Sequence, residues 1–116
     1  MIERRSHPRV RVSHPALYFT DIFPKPRVAT TIDLSMGGTR IETPYSLISG
    51  ENLEISIAIH PQVIKSRGTV VHILPLPGER MFAGTRFEAG LQFEEISTQD
   101  RAFLEEYISR VMEQDN

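Results

Sequence analysis

The sequence predicts an all-β fold with a C-terminal helix, namely a six-stranded antiparallel β-barrel with the helix packed on it. Three observations carry this. Six short runs alternate apolar and polar residues with the two-residue period of a half-buried strand. Each run stops at proline, glycine or another turn residue, and only after Ser97 does the apolar spacing become helical. The 116 residues suit one domain with one hydrophobic core and are too few for two full sheets.

The first strand candidate is Val10 to Thr20, interrupted near Pro15, and the turn Phe23-Pro24-Lys25-Pro26 follows it. Val28 to Ser35 is next, with Val28, Thr30, Ile32 and Leu34 assigned to the core face and Asp33 and Ser35 to the outer face. Gly37-Gly38 separates it from Thr39 to Thr43. The clearest strand is Leu53 to Ile59, where Leu53, Ile55, Ile57 and Ile59 point one way and Glu54, Ser56 and Ala58 the other. After His60-Pro61 come Thr69 to Leu74, the turn Leu76-Pro77-Gly78, and Phe87 to Ile96 with Phe87, Ala89, Leu91 and Phe93 sharing a face. Strands this short and evenly spaced favour a barrel that removes its own edges. Ser97 or Thr98 then caps a helix over about 98–114, whose stripe is Phe103, Leu104, Tyr107, Ile108, Val111 and Met112. Residues 10–116 are thus one barrel domain, preceded by a flexible, polar N-terminal arm over 1–12.

Composition narrows the function. Apolar residues at 40% and charged residues at 24% are ordinary for a globular chain. With no cysteine there is neither a disulfide framework nor a thiolate nucleophile, which fits a reducing cytoplasm. No apolar run reaches transmembrane length and no signal-peptide pattern opens the chain, so a cytoplasmic protein without membrane insertion is expected. A net charge of −2 argues against a general nucleic-acid binder. The positive charge is local: Arg4, Arg5, Arg9 and Arg11 fall within eight residues, an anion site in the making.

Two stretches carry chemistry. In Thr31 to Gly38, Asp33 offers a carboxylate and Ser35 a hydroxyl, and Gly37 and Gly38 permit a tight turn and close backbone approach. The arginine arm offers planar guanidinium forks, which grip phosphate or the O6/N7 edge of guanine through paired hydrogen bonds. Arg5-Ser6-His7-Pro8-Arg9 fits R-x-x-x-R, and Asp33-Leu34-Ser35-Met36-Gly37-Gly38 fits [D/N]-x-S-x-x-G. In their order and separation these resemble the two signatures of the PilZ domain family, and Ala89-Gly90-Leu91-Gln92-Phe93 resembles that family's final-strand G-x-x-F pattern.

The resemblance covers essentially the whole chain. It implies a PilZ-like split barrel of six strands with a C-terminal helix, found in bacteria, that binds the second messenger cyclic di-GMP. By similarity Arg5 and Arg9 engage guanine edges and phosphates, with Arg4 a further contributor. Asp33 accepts from guanine N–H groups, Ser35 lies beside phosphate or guanine, and Gly37 and Gly38 form the glycine ledge where Gly38 leaves room for the ligand. His72 falls on a strand where some relatives present an aromatic ring to the ligand. The arm is expected to close over the ligand against Asp33 and Ser35, presenting a new surface to a protein effector.

Other readings are weaker. No histidine and acid accompany Ser35 in a nucleophile pattern, so no catalytic residue and no enzyme activity are expected. His7, His14, His60 and His72 are too scattered for a metal-ligand spacing, so neither metal nor cofactor is expected beyond the ligand itself. Adjacent glutamates at 94–95 and 105–106 do not face one another. Two rivals are a ligand-independent interaction adaptor and a single-stranded nucleic-acid-binding barrel. The second would want exposed aromatic platforms, and the six Phe and three Tyr fall mostly on core faces. Monomer and dimer are both open, because the helix stripe can bury itself on the barrel or on a second copy.

Overall fold

The computed structural model describes residues 7–76 and 85–114. The elements are β1 (Pro15–Thr20), β2 (Arg27–Leu34), β3 (Gly38–Thr43), β4 (Asn52–Ile59), β5 (Gln62–Leu76), β6 (Arg86–Ile96) and α1 (Thr98–Gln114). Every pairing is antiparallel, and the sheet closes in the order β1-β2-β3-β6-β5-β4. Closure pairs the strands that would otherwise be edges, which is how so short a sheet avoids exposing a template for aggregation.

The interior follows the two-residue period. Leu53, Ile55, Ile57 and Ile59 all line it, as expected, with Ile64 and Val70 from β5 and Ala89 and Leu91 from β6. Tyr18 is fully buried and its hydroxyl finds Thr43 Oγ1 at 2.9 Å, satisfying the one polar group it carries inward. Ser97 caps α1, its Oγ accepting from the Asp100 amide at 3.0 Å. Leu104 and Ile108 are buried while Phe103, Tyr107 and Val111 pack against the core from its rim. Met112, expected in the same stripe, lies at its margin and is exposed.

Three expectations need correction. In β2 the inward residues are Ala29 and Thr31, and Val28 is 59% exposed. A register shift between Thr31 and Asp33 then restores the anticipated phase, so Leu34 is inward after all. Val-Ala-Thr-Thr-Ile places β-branched residues on both faces, and periodicity cannot choose between them. Strand β5 begins at Gln62, not Thr69. Its first inward positions are Ile64, Ser66 and Gly68, two of them too small or too polar to read as a core face. Strand β1 starts at Pro15, and the run before it is not a ladder strand.

That run is nevertheless fastened. Val10 forms an isolated antiparallel bridge to Leu34, with N···O distances of 3.0 and 2.9 Å. Thr31, buried in β2, donates its hydroxyl to the Val12 carbonyl at 2.6 Å and accepts from the His14 amide at 2.9 Å. Residues 10–14, which overlap the arm expected over 1–12, therefore lie hydrogen-bonded along β2. Arg4 and Arg5 fall outside the described residues.

Candidate functional site

The pairing register builds one cross-strand row from four different strands. Asp33 on β2 faces Arg40 on β3, Arg40 faces Gly90 on β6, and Gly90 faces His72 on β5. Ile41 and Ala89, the next residues along, point into the core with almost no exposure. The row therefore lies on the outer wall of the barrel. Asp33 is outward yet only 2% exposed, because two arginines cover it.

Asp33 Oδ1 accepts from Arg9 Nη1 at 2.8 Å and from the Arg40 backbone amide at 3.2 Å, and Oδ2 accepts from Arg40 Nε at 2.6 Å. The far end of Arg40 donates through Nη1 to Glu88 Oε2 at 2.8 Å. Glu88 sits two residues before Gly90 on the same face of β6. The Arg40 pKa is raised, chiefly by its hydrogen bond to Asp33, with burial opposing and Glu88 adding to the rise. Its charge is thus fixed. His72 Nε2 stands 3.8 Å from Glu88 Oε2, and its ring occupies the space a side chain at Gly90 would fill.

The β2–β3 turn adjoins the row. Expected to project beside the ligand, Ser35 is instead 3% exposed and turned into the turn itself. Its Oγ accepts from the amides of Gly37 and Gly38 at 3.1 and 3.2 Å and donates to the Gly38 carbonyl at 3.2 Å. Gly38 likewise serves packing rather than open space, since its missing side chain makes room for the backbone of β6. Gly37 lies against the arm: a Cβ there would approach His7 Cδ2 at 3.0 Å, a contact that a small shift of the exposed ring relieves. His7 and Arg9, both on the arm, thus bracket the turn and the carboxylate.

Of the residues singled out from sequence, Arg9, Asp33, Ser35, Gly37, Gly38 and His72 come together on one face, and Arg4 and Arg5 are outside the described residues. Arg40 and Glu88 were missed. A hairpin register read through the Ser35–Gly38 turn would have set Arg40 opposite Asp33, but Glu88 depends on β3 pairing with β6, which local sequence does not encode. The arrangement offers a carboxylate paired with two guanidiniums beside a glycine turn, chemistry that suits a charged planar ligand. Among the described residues no group of His, Cys, Asp and Glu could hold a metal ion, and no helix is long and apolar enough to cross a membrane.

Comparison with known proteins agrees with this architecture. The barrel superposes on the Bacillus subtilis inhibitor of motility MotI/DgrA with a TM-score of 0.81 at 21% identity, over 99% of this chain and 54% of that one. It superposes on the PilZ domain of Escherichia coli YcgR solved with c-di-GMP with a TM-score of 0.76 at 15% identity, over 97% and 95% of the two chains. The K. pneumonia MrkH–c-di-GMP complex gives 0.75 at 14% identity, over 98% and 55%. These likenesses establish the fold, and the chain spans about half the length of MotI/DgrA and of MrkH. No curated protein matches the sequence. The PilZ domain model matches residues 3–110, nearly the whole length and both signature motifs, and the chain belongs to the PilZ domain family.

Proposed function

We propose that this domain is a non-enzymatic receptor for cyclic di-GMP that reports the messenger to a protein effector through its N-terminal arm. The supporting observation is the 2.8 Å ion pair between Arg9 of R-x-x-x-R and Asp33 of [D/N]-x-S-x-x-G, 24 residues apart. Arg9 and Asp33, one from each motif, meet there, each occupying the group that the other would present to a ligand. YcgR and MrkH, whose domains share this fold, have been solved with c-di-GMP.

The chemistry is an exchange. Arg9 leaves Asp33 for a phosphate or the O6/N7 edge of a guanine, and the donor edge of a guanine takes its place on the carboxylate. Arg5 lies four residues before Arg9, within about 14 Å along an extended chain, so it reaches the same ligand, and Arg4 adds a further cation. Ser35 contributes by holding the Gly37–Gly38 turn in shape, and His72 flanks the site from β5. Three or four charge-assisted bonds of about 1.5–3 kcal/mol each, less the cost of ordering the arm, support roughly micromolar affinity. Closure moves the segment ahead of Val10, and that moved surface is what an effector reads. The reading places the protein in the cytoplasm, with no nucleic-acid partner.

Calorimetric titration with cyclic di-GMP tests this directly, using the unaltered protein and Arg5→Ala, Arg9→Ala and Asp33→Ala. Micromolar binding weakened by each substitution is the expected result. Absence of heat and of amide chemical-shift changes at high ligand concentration would reject the reading in favour of a ligand-independent adaptor.

A further inference from the structure

Resting on the receptor reading, we infer that Arg40 and Glu88 form a positioning pair: they hold the Asp33 carboxylate in the orientation that accepts the ligand's donor edge, without touching the ligand themselves. A carboxylate has about four acceptor positions across its two oxygens. In Asp33 three are filled, one by Arg9 and two by Arg40. A guanine edge donates from N1–H and from the N2 amino group, so it needs two. Among the described residues nothing fills the fourth, and the second that the guanine needs is the position Arg9 occupies.

The geometry decides which arginine yields. Among the described residues Arg9 bonds Asp33 alone, from an arm whose nearest backbone anchor is Val10. Arg40 holds one oxygen with Nε and the other with its own backbone amide, and its far end is moored to Glu88 at 2.8 Å. Two attachments at one end and a third at the other fix both the position and the plane of the carboxylate. Release of Arg9 then leaves Asp33 pinned rather than free to rotate, so the ligand meets an acceptor already aimed at it, and the ordering cost falls before binding. Lysine cannot replace Arg40, because a point charge lacks the fork that bonds Asp33 with one nitrogen and Glu88 with another.

The test is calorimetric titration of the whole chain with cyclic di-GMP, comparing Arg40→Gln, Arg40→Lys, Glu88→Gln and Asp33→Asn with the double variant Arg40→Gln/Asp33→Asn. Folding is checked by thermal melting and amide spectra. Arg40→Gln is expected to weaken binding tenfold or more, Arg40→Lys nearly as much, and Glu88→Gln about threefold. In the Asp33→Asn background Arg40→Gln should add almost nothing, since it acts through Asp33. Losses that multiply in the double variant would make Arg40 a ligand contact in its own right and overturn the positioning role. Binding indifferent to Arg40→Lys and to Glu88→Gln overturns it too. An unaltered protein that takes no ligand removes the receptor reading and this inference together, whereas wild-type binding with indifferent variants removes the inference alone.

Discussion

Gly38 and Leu91 are held so close across the β3–β6 pairing that a Cβ on residue 38 would lie 2.1 Å from the Leu91 carbonyl oxygen. The obstacle is backbone, so a side chain fits only if the two strands part. Gly90 is a contrasting case, where the atom in the way is Cε1 of the His72 ring at 2.2 Å, the far end of a side chain that can rotate outward. Gly38→Ala is therefore expected to cost roughly 3 kcal/mol or more, as overpacking against fixed backbone does, and Gly90→Ala under about 1 kcal/mol. Urea denaturation of both variants checks this. Equal midpoints would show that β3 and β6 can separate freely and that Gly38 is not required for packing.

Arg9 separates affinity from stability. Its side chain is one-third exposed and it makes one bond to Asp33, so its loss leaves Arg40 still holding the carboxylate. Arg9→Ala should change folding stability by no more than about 1 kcal/mol, as expected of a surface ion pair. The same change should weaken cyclic di-GMP binding about 10- to 150-fold, the equivalent of one charge-assisted contact. A melting temperature that falls as steeply as the affinity would mean that Arg9 is structural and that the exchange has no basis.

The strands with one apolar face were legible from sequence, and the mixed ones were not. Leu53 to Ile59 announces itself because four large aliphatics alternate with polar or small residues, whereas β5 hides its first half behind inward Ser66 and Gly68. Asp33 could be placed outward from Leu34 alone, but the extra residue before it, which inverts the first half of β2, leaves no mark in the letters. Ser35 and Gly38 were found as motif positions, yet their work in the structure is local: one closes a turn and the other lets two backbones meet. A motif names residues that matter without saying which of them touch a ligand. Glu88 was illegible because its partner is 48 residues away on another strand.

Thr31 should prove to be the arm's anchor. It is 2% exposed, and its hydroxyl serves the Val12 carbonyl and the His14 amide at once. Thr31→Val keeps the shape and leaves both backbone groups without that partner, at a cost of about 1–3 kcal/mol. Thr31→Ser should retain most of the stability. Hydrogen exchange at the His14 amide should quicken in the valine variant, and cyclic di-GMP binding should weaken because more of the arm must be ordered on closure. Unchanged exchange at His14 would show that other contacts suffice to hold residues 10–14.

Just beyond that anchor, His14 reaches the helix: its Nε2 lies 2.6 Å from the Tyr107 hydroxyl, the rings meeting edge-on with centroids 5.4 Å apart. Burial lowers the His14 pKa from 6.5 and raises that of Tyr107 from 10.0. Protonating His14 need not break the bond, since Nε2–H can donate to the phenol oxygen. The penalty is the desolvation of an imidazolium. Below pH 6.5 the unfolded chain accepts a proton that the folded chain resists, so this contribution is present above 6.5 and is lost as pH falls through the lowered folded value. The Tyr107 contribution has the opposite sense, being complete below pH 10 and lost as pH rises through the raised value. Denaturation midpoints of the unaltered protein and of His14→Gln should therefore converge between pH 7.5 and 5, because the wild-type curve carries an extra decline that the variant lacks. Parallel curves over that interval would mean that burial of His14 against Tyr107 does not couple helix α1 to the proton.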